Sequence, residues 1–89
     1  MQNNGDWLIN GENMEIPLNT LRKGEHAFVF TLSGGRMESN RLVSLGFTPG
    51  VELDMVQNFG RGPLIVALRG TRVALGRGEA EKILVRRNA

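Results

Sequence analysis

The ten residues Arg41-Leu-Val-Ser-Leu-Gly-Phe-Thr-Pro-Gly50 decide the fold that we predict for this chain. Gly46 suits a helix end that needs a positive φ, and Phe47 can fold back on the helix in a Schellman contact. Pro49 cannot continue a helix, because it lacks an amide hydrogen and its ring clashes with the preceding turn. The stretch therefore predicts that a helix over 36–45 ends here and leads directly into a strand.

The helix over 36–45 is also predicted by its apolar spacing. Met37, Leu42 and Leu45 fall on one broad arc at a 3.6-residue period, so we expect them to face the core. Ser33 is a candidate N-cap. The segment Ser33-Gly34-Gly35 has backbone amides that can bind an anion, but no lysine motif accompanies it, and a plain strand-to-helix turn is the preferred interpretation.

Patterns typical of strands lie on both sides of the helix. Five short strands are predicted, at 26–32, 51–57, 64–69, 71–75 and 83–86, with a single turn at 17–21 and a 3₁₀ or single helical turn at 76–82. The first is dense in aromatic and β-branched residues, and the second alternates apolar with polar side chains. Short strands joined by glycine-rich turns predict a mainly β fold, a small five-stranded barrel with one inserted α-helix.

The composition fits one small domain of 89 residues, of which 40% are hydrophobic and 22% charged. With no cysteine, disulfides and thiolate metal ligands are excluded. The longest apolar run, residues 63–68, is far shorter than the roughly 20 residues that span a bilayer. No signal peptide is evident. We therefore expect a cytoplasmic protein with no direct membrane insertion.

The N-terminal residues 1–14 differ from the rest, since they are rich in Asn and Gly around the cluster Trp7-Leu8-Ile9. The preferred interpretation is a flexible extension, followed by the barrel domain at 15–89. The alternative is that Trp7 docks onto the domain or onto a partner.

Few residues in the chain are suited to catalysis. A nucleophile or a general base is usually Cys, Ser with His, or a carboxylate pair, and here cysteine is absent and histidine occurs once. Neither a Gly-x-Ser-x-Gly elbow nor a Gly-x-x-x-x-Gly-Lys phosphate loop is found. We expect that the protein is not an enzyme and needs no cofactor.

His26 is the one candidate ligand for a divalent transition metal. It stands alone at a strand start, whereas such metals need several nitrogen or sulfur ligands. Glu25 is its sequence neighbour, but adjacent strand residues point to opposite faces. A surface histidine is therefore the preferred interpretation, and no metal site is predicted.

Two apolar side chains, Ile65 and Ala67, are predicted to face outward from the strand at 64–69, where polar residues are usual. Either the helix or the N-terminal extension covers that face, or the face is an apolar patch for a partner or a second copy of the chain. The sequence leaves both open.

Binding of nucleic acid is a further alternative, because Phe59 and Arg61 lie together in one loop and small barrels bind single strands with such pairs. The net charge of only +2 and the acidic residues spread over the first two thirds of the chain argue against it.

The ordered landmarks of the chain resemble a known family. They are Leu18-x-x-Leu21-x-x-Gly24, Leu42-x-x-Leu45-Gly-Phe-Thr-Pro-Gly50, Gly62-Pro-Leu64, Leu68-Arg-Gly70, Val73-Ala-Leu75 and Glu79-Ala-Glu81. Together they span about Ile16 to Val85 and resemble the ferrous iron transport protein A (FeoA) family. The outward Ile65 and Ala67 and the Asn-rich extension depart from the family pattern.

The resemblance implies an SH3-like barrel that acts in ferrous iron uptake as a cytosolic protein-interaction module. The implied partner is the membrane ferrous iron permease with a GTP-binding domain, FeoB. A similar barrel ends iron-dependent repressors, so a metal-responsive module is kept as an alternative. On this basis we expect the partner-binding residues at the corner and on the hairpin face: Leu45, Gly46, Phe47, Thr48, Ile65 and Ala67.

Overall fold

The computed structural model describes residues 14–87. The predicted flexible extension and the alternative docking of Trp7 therefore lie outside the described residues, except for Met14.

Six antiparallel strands and two short helices build the described part of the chain. The strands are β1 (Ile16–Pro17), β2 (His26–Leu32), β3 (Glu52–Gln57), β4 (Leu64–Leu68), β5 (Thr71–Leu75) and β6 (Ile83–Arg87). The helices are α1 (Arg36–Ser44) and α2 (Arg77–Glu81), and a 3₁₀ turn covers Leu18–Thr20. The strands form one sheet in the order β1-β6-β2-β3-β4-β5. The predicted mainly β class is confirmed.

The prediction of five strands was one too few. Ile16 and Pro17 form β1, which pairs with Val85 and Leu84 of β6. A two-residue strand shows no periodicity, and proline is tolerated at the edge of a sheet, where its missing N–H costs nothing. The 3₁₀ or single helical turn predicted at 76–82 is a five-residue α-helix, α2, so the structure adds a second short helix to the inserted α1.

The end of α1 confirms the interpretation of the sequence around Gly46. The amide of Phe47 donates to the carbonyl of Leu42 at 3.0 Å, and the amide of Gly46 donates to that of Val43 at 2.9 Å. Gly46 has a φ of 110°. This is the paired hydrogen bonding of a Schellman motif, which satisfies carbonyls that the helix leaves free.

The start of α1 differs from the prediction. The N-cap is Gly35, whose amide donates a hydrogen bond to the Glu38 carboxylate at 3.2 Å, whereas the Ser33 hydroxyl donates to the carbonyl of Lys82 instead. Met37 is 86% exposed and faces solvent. It lies in the first turn of a short helix whose core contact is made through Leu42, nearer the other end.

Among residues 14–87, the core is wholly apolar and is enclosed by the coiled sheet and the two helices. Its fifteen buried residues come from every strand except β1, from both helices, and from the segments around the 3₁₀ turn and the corner: Leu18, Leu21, Ala27, Val29, Leu42, Phe47, Leu53, Met55, Leu64, Val66, Leu68, Leu75, Ala80, Ile83 and Val85. Phe47 is the largest of them. Its burial fixes the path of the chain between α1 and β3.

Candidate protein-binding surface

The two regions in which the sequence placed partner contacts lie against each other. The corner after α1 (residues 45–50) contacts the turn between β4 and β5. A Cβ added to Gly46 would lie 3.4 Å from Leu68 Cδ1 and 3.6 Å from Arg69 Cδ. The Arg69 guanidinium also donates a long hydrogen bond, 3.5 Å, to the Thr48 hydroxyl. The corner and the hairpin therefore form one continuous surface.

Arg69 is held in an uncommon backbone conformation. Leu68 pairs with Thr71, so the turn has only two residues, Arg69 and Gly70, with φ values of 52° and 77°. Two successive positive φ values define a type I′ turn, in which Asn-Gly is preferred and a residue such as arginine is strained. The predicted strand at 64–69 thus ends at Leu68. Strain of this kind is often retained where a side chain has a function.

A shallow groove of about 400 Å³ lies beside this turn. It is lined by His26, Glu52, Asp54, Ala67, Leu68, Arg69 and Gly70. His26 is opposite Asp54 in the register of β2 and β3, and Glu52 lies two residues from Asp54 on the same face of β3. The groove joins carboxylates, an imidazole and a guanidinium to the small apolar side chain of Ala67.

The imidazole of His26 lies between two carboxylates. Its Nδ1 is 2.8 Å from Asp54 Oδ1, and its Nε2 is 3.5 Å from Glu52 Oε1. Because the two carboxylates face different ring nitrogens, the three groups do not converge on one point. Among residues 14–87, no group of three or more His, Cys, Asp or Glu side chains is placed to hold a metal ion. The arrangement is suited to polar contacts with a protein.

The structure places the predicted contact residues unequally. Leu45, Thr48, Ile65 and Ala67 are half-buried and reach the surface. Phe47 is 0% exposed, so the expectation that it presents the corner to a partner was wrong. Its side chain fills the core, because the Schellman motif turns it back under α1.

Ile65 and Ala67 face outward, as predicted, and are incompletely covered by the described residues. Ile65 lies beside Ala74 of β5 and Gln57 of β3, and Ala67 lies between Asp54 and Arg72. The alternative in which the N-terminal extension covers the face of Ile65 and Ala67 involves residues outside 14–87.

Three charged groove residues were missed by sequence reasoning: Glu52, Asp54 and Arg69. The two acidic residues meet His26 through strand pairing across 28 positions, which no local pattern reveals. Arg69 had a signal, since it precedes Gly70 between two strands, and Arg-Gly is a weak form of the Asn-Gly turn.

The loop with Phe59 and Arg61 lies at the opposite end of β4. Phe59 is 74% exposed, and the loop is fixed below it by the Asn58 side chain, which donates to the carbonyls of Asn19 at 3.1 Å and Leu21 at 2.6 Å. The single exposed aromatic is not joined by a second in this loop, whereas stacking of successive bases uses several.

Ion pairs connect the two helices. Arg41 Nε lies 2.8 Å from Glu79 Oε2, and Lys82 Nζ lies 3.2 Å from Glu38 Oε1. The pKa of Glu79 is lowered by the backbone amide of Gly76 and by Arg41, and the pKa of Glu38 is lowered first by Lys82. These pairs hold α1 and α2 together and are distinct from the groove.

Neither helix in the range 14–87 is long and apolar enough to cross a membrane.

Comparisons of the sequence and of the fold with known proteins point to the same family. The family model described as the FeoA domain matches residues 16–87. The chain is 38% identical over 69 residues to a protein named as Fe(2+) transport protein A of Methanocaldococcus jannaschii. The matched region covers 78% of this chain and 83% of that protein.

Solved structures agree. One described as the iron uptake regulatory protein FeoA has a TM-score of 0.78 and 34% identity, covering 82% of this chain and 97% of that one. The zinc complex of FeoA from Stenotrophomonas maltophilia, described as an SH3 domain protein, has a TM-score of 0.69 and 32% identity, covering 81% and 88%. The predicted SH3-like fold is confirmed. Two structures described as a manganese-dependent transcriptional repressor, at 23% and 24% identity, and IdeR of T. acidophilum, at 15%, also match, which shows a shared fold alone.

Proposed function

This chain belongs to the FeoA family, and on that premise we propose that it is an accessory protein of ferrous iron uptake that acts by binding another protein. The proposed partner is the cytoplasmic part of the FeoB-type ferrous iron permease, which carries the GTP-binding domain. The proposal places the protein in the cytoplasm and assigns it no cofactor and no catalytic step. The S. maltophilia relative, described as a candidate ferrous iron transport activating factor, supports this role.

One observation carries the proposal beyond family membership, namely the contact between the corner and the β4–β5 turn. A binding surface needs apolar area with polar groups around it. Here Ile65 and Ala67 supply apolar area, while Thr48 and Arg69 supply hydrogen-bonding groups beside it. The buried Phe47 keeps this surface rigid, which lowers the entropy lost on binding.

The test measures binding of the whole chain to the purified cytoplasmic part of the permease from the same organism, by isothermal titration calorimetry. We expect Ala67→Glu to weaken binding at least tenfold, because it puts a carboxylate into the apolar part of the surface beside Asp54. Phe59→Ser is the matched control, since it also changes an exposed position, but at the opposite end of β4.

Melting temperatures of both variants show whether the fold is kept. The proposal fails if the wild-type chain shows no heat of binding at tens of micromolar. The proposed surface fails, with the role intact, if Phe59→Ser loses binding and Ala67→Glu does not. Size-exclusion chromatography of the same samples determines whether a second copy occupies this surface.

A further inference from the structure

Strand β5 is at the edge of the sheet and leaves part of its backbone without a partner. In the two-residue hairpin, Thr71, Val73 and Leu75 exchange hydrogen bonds with β4, because bonded and non-bonded pairs alternate along an antiparallel ladder. Arg72 and Ala74 then point their N–H and C=O groups away from β4. Within residues 14–87, these groups make no backbone hydrogen bond.

The free edge of β5 is accessible. Thr71, Arg72 and Ala74 are exposed, and β5 is five residues long with neither a proline nor a bulge in its pairing with β4. Proteins usually block such an edge with proline, a bulge or a covering element, since it is a template for another strand. An unblocked edge of this length is suited to receive an extended segment.

The charges around β5 select the kind of segment. Arg69 and Arg72 are both exposed, and in the described part of the chain neither lies within ion-pair distance of a carboxylate. A second copy pairing through β5 would bring two such arginine pairs together, which repulsion disfavours. An acidic segment would neutralise them.

We propose that the β5 edge binds an extended acidic segment of a partner protein by strand addition. The backbone of Arg72 and Ala74 supplies the hydrogen bonds, Arg72 faces a carboxylate of the incoming strand, and the small side chain of Ala74 leaves room for an apolar residue beside Ile65. This proposal holds whether or not the partner protein is the permease.

The experiment uses the whole chain and a fluorescein-labelled peptide of roughly seven residues, a length typical of one strand, in which glutamate and valine lie two positions apart on the same face and threonine fills the positions between them. Binding is measured by fluorescence anisotropy, with a valine–lysine peptide as the control. We expect the glutamate peptide to bind at least tenfold more tightly than the lysine peptide. Equal affinities for the two peptides, or none for either, would overturn the proposal.

Variants of β5 separate strand addition from simple charge attraction. Ala74→Pro removes an outward N–H that takes no part in the β4 ladder, and we expect at least tenfold weaker binding with the circular dichroism spectrum unchanged. Ala74→Ser keeps the N–H and should bind like the wild type. Arg72→Glu should reverse the preference between the peptides, which tests the charge contribution alone. If the proline variant fails to fold, the amide hydrogen exchange described next separates the two modes of binding.

Amide hydrogen exchange of the wild-type chain supplies a second readout. Saturating glutamate peptide should slow exchange at Arg72 and Ala74 at least tenfold and leave the ladder amides of Val73 and Leu75 little changed. If the peptide binds but neither outward amide gains protection, the attraction is electrostatic only and strand addition is excluded.

Discussion

The two ends of strand β4 use their polar side chains differently. At the loop end (residues 58–63), Asn58 Nδ2 donates to the carbonyls of Asn19 and Leu21, and Arg77 donates to Asn58 Oδ1 and to the carbonyl of Gly62, both at 3.1 Å. At the turn end (residues 68–71), Arg69 has a strained backbone and one long hydrogen bond.

This difference separates a stabilising region from a binding region. At the loop end, the Asn58 side chain donates hydrogen bonds to backbone carbonyls of Asn19 and Leu21. These bonds attach the end of β3 to the 3₁₀ turn. At the turn end, the charge of Arg69 is not neutralised by a described carboxylate, and its backbone strain stabilises no other part of the fold. Groups of the second kind are the ones available to a partner.

The largest effect is expected from breaking the loop end with Asn58→Ala. The change removes two half-buried donors and leaves the carbonyls of Asn19 and Leu21 without them, so the free energy of unfolding should fall by about 2–3 kcal/mol. Urea denaturation followed by circular dichroism measures it.

The control for that variant is Asn40→Ala on the exposed face of α1, where the free energy of unfolding should change by no more than about 0.5 kcal/mol. Equal losses for the two variants would mean that the loop end is not the stabilising region described above.

A smaller effect of opposite sign is expected at the turn end from Arg69→Asn. Asparagine tolerates the left-handed conformation that a φ of 52° requires, so the free energy of unfolding should rise by about 0.5–1 kcal/mol. The same urea titration measures the change.

Arg69→Ala is the matched variant, because it removes the same guanidinium but keeps the steric strain. It should stay within about 0.5 kcal/mol of the wild type. If asparagine and alanine behave alike, the strain assigned to Arg69 is absent and the contrast between the two ends is weaker than described.

The smallest effect is expected from the ion pair between Arg41 of α1 and Glu79 of α2, which makes the stability of the fold depend on pH. The pKa of Glu79 is lowered below its ordinary 4.5 by the Gly76 amide and Arg41. A carboxylate with a lowered pKa stabilises the fold above its unfolded-state pKa, and this contribution is lost as the pH falls through the folded value.

The melting temperature should therefore drop below about pH 4.5, and Glu79→Gln should drop less steeply over the same range. Near pH 7 the variant should lose no more than about 1 kcal/mol, since the pair is partly exposed. Parallel curves for the two proteins would show that Glu79 does not contribute to the acid sensitivity.

Local sequence signals predicted the elements that depend on neighbouring residues. Gly46 and Pro49 placed the end of α1, and the bounds of β2 were predicted correctly at 26–32, because capping and alternation act over a few positions. The predicted strand at 64–69 was one residue too long, since Arg-Gly is only a weak local signal for the positive φ that Arg69 adopts.

The parts that were missed depend on long-range pairing. His26 meets Asp54 only through the register of β2 and β3, and β1 exists only because Ile16 pairs with Val85. Phe47 shows a different limit. The sequence pattern correctly predicted that Phe47 folds back on the end of the helix. The prediction that it also contacts a partner was wrong, because the same contact buries the side chain.

The sheet order has a consequence for how the chain matures on the ribosome. Strand β6 is made last of the six, yet it lies between β1 and β2. A nascent chain that has emerged only as far as α2 can form the β2-β3-β4-β5 meander, but it lacks the strand that joins this meander to its own beginning. Completion of the barrel must therefore wait until residue 87 leaves the exit tunnel, and the apolar interior is open to chaperones until then.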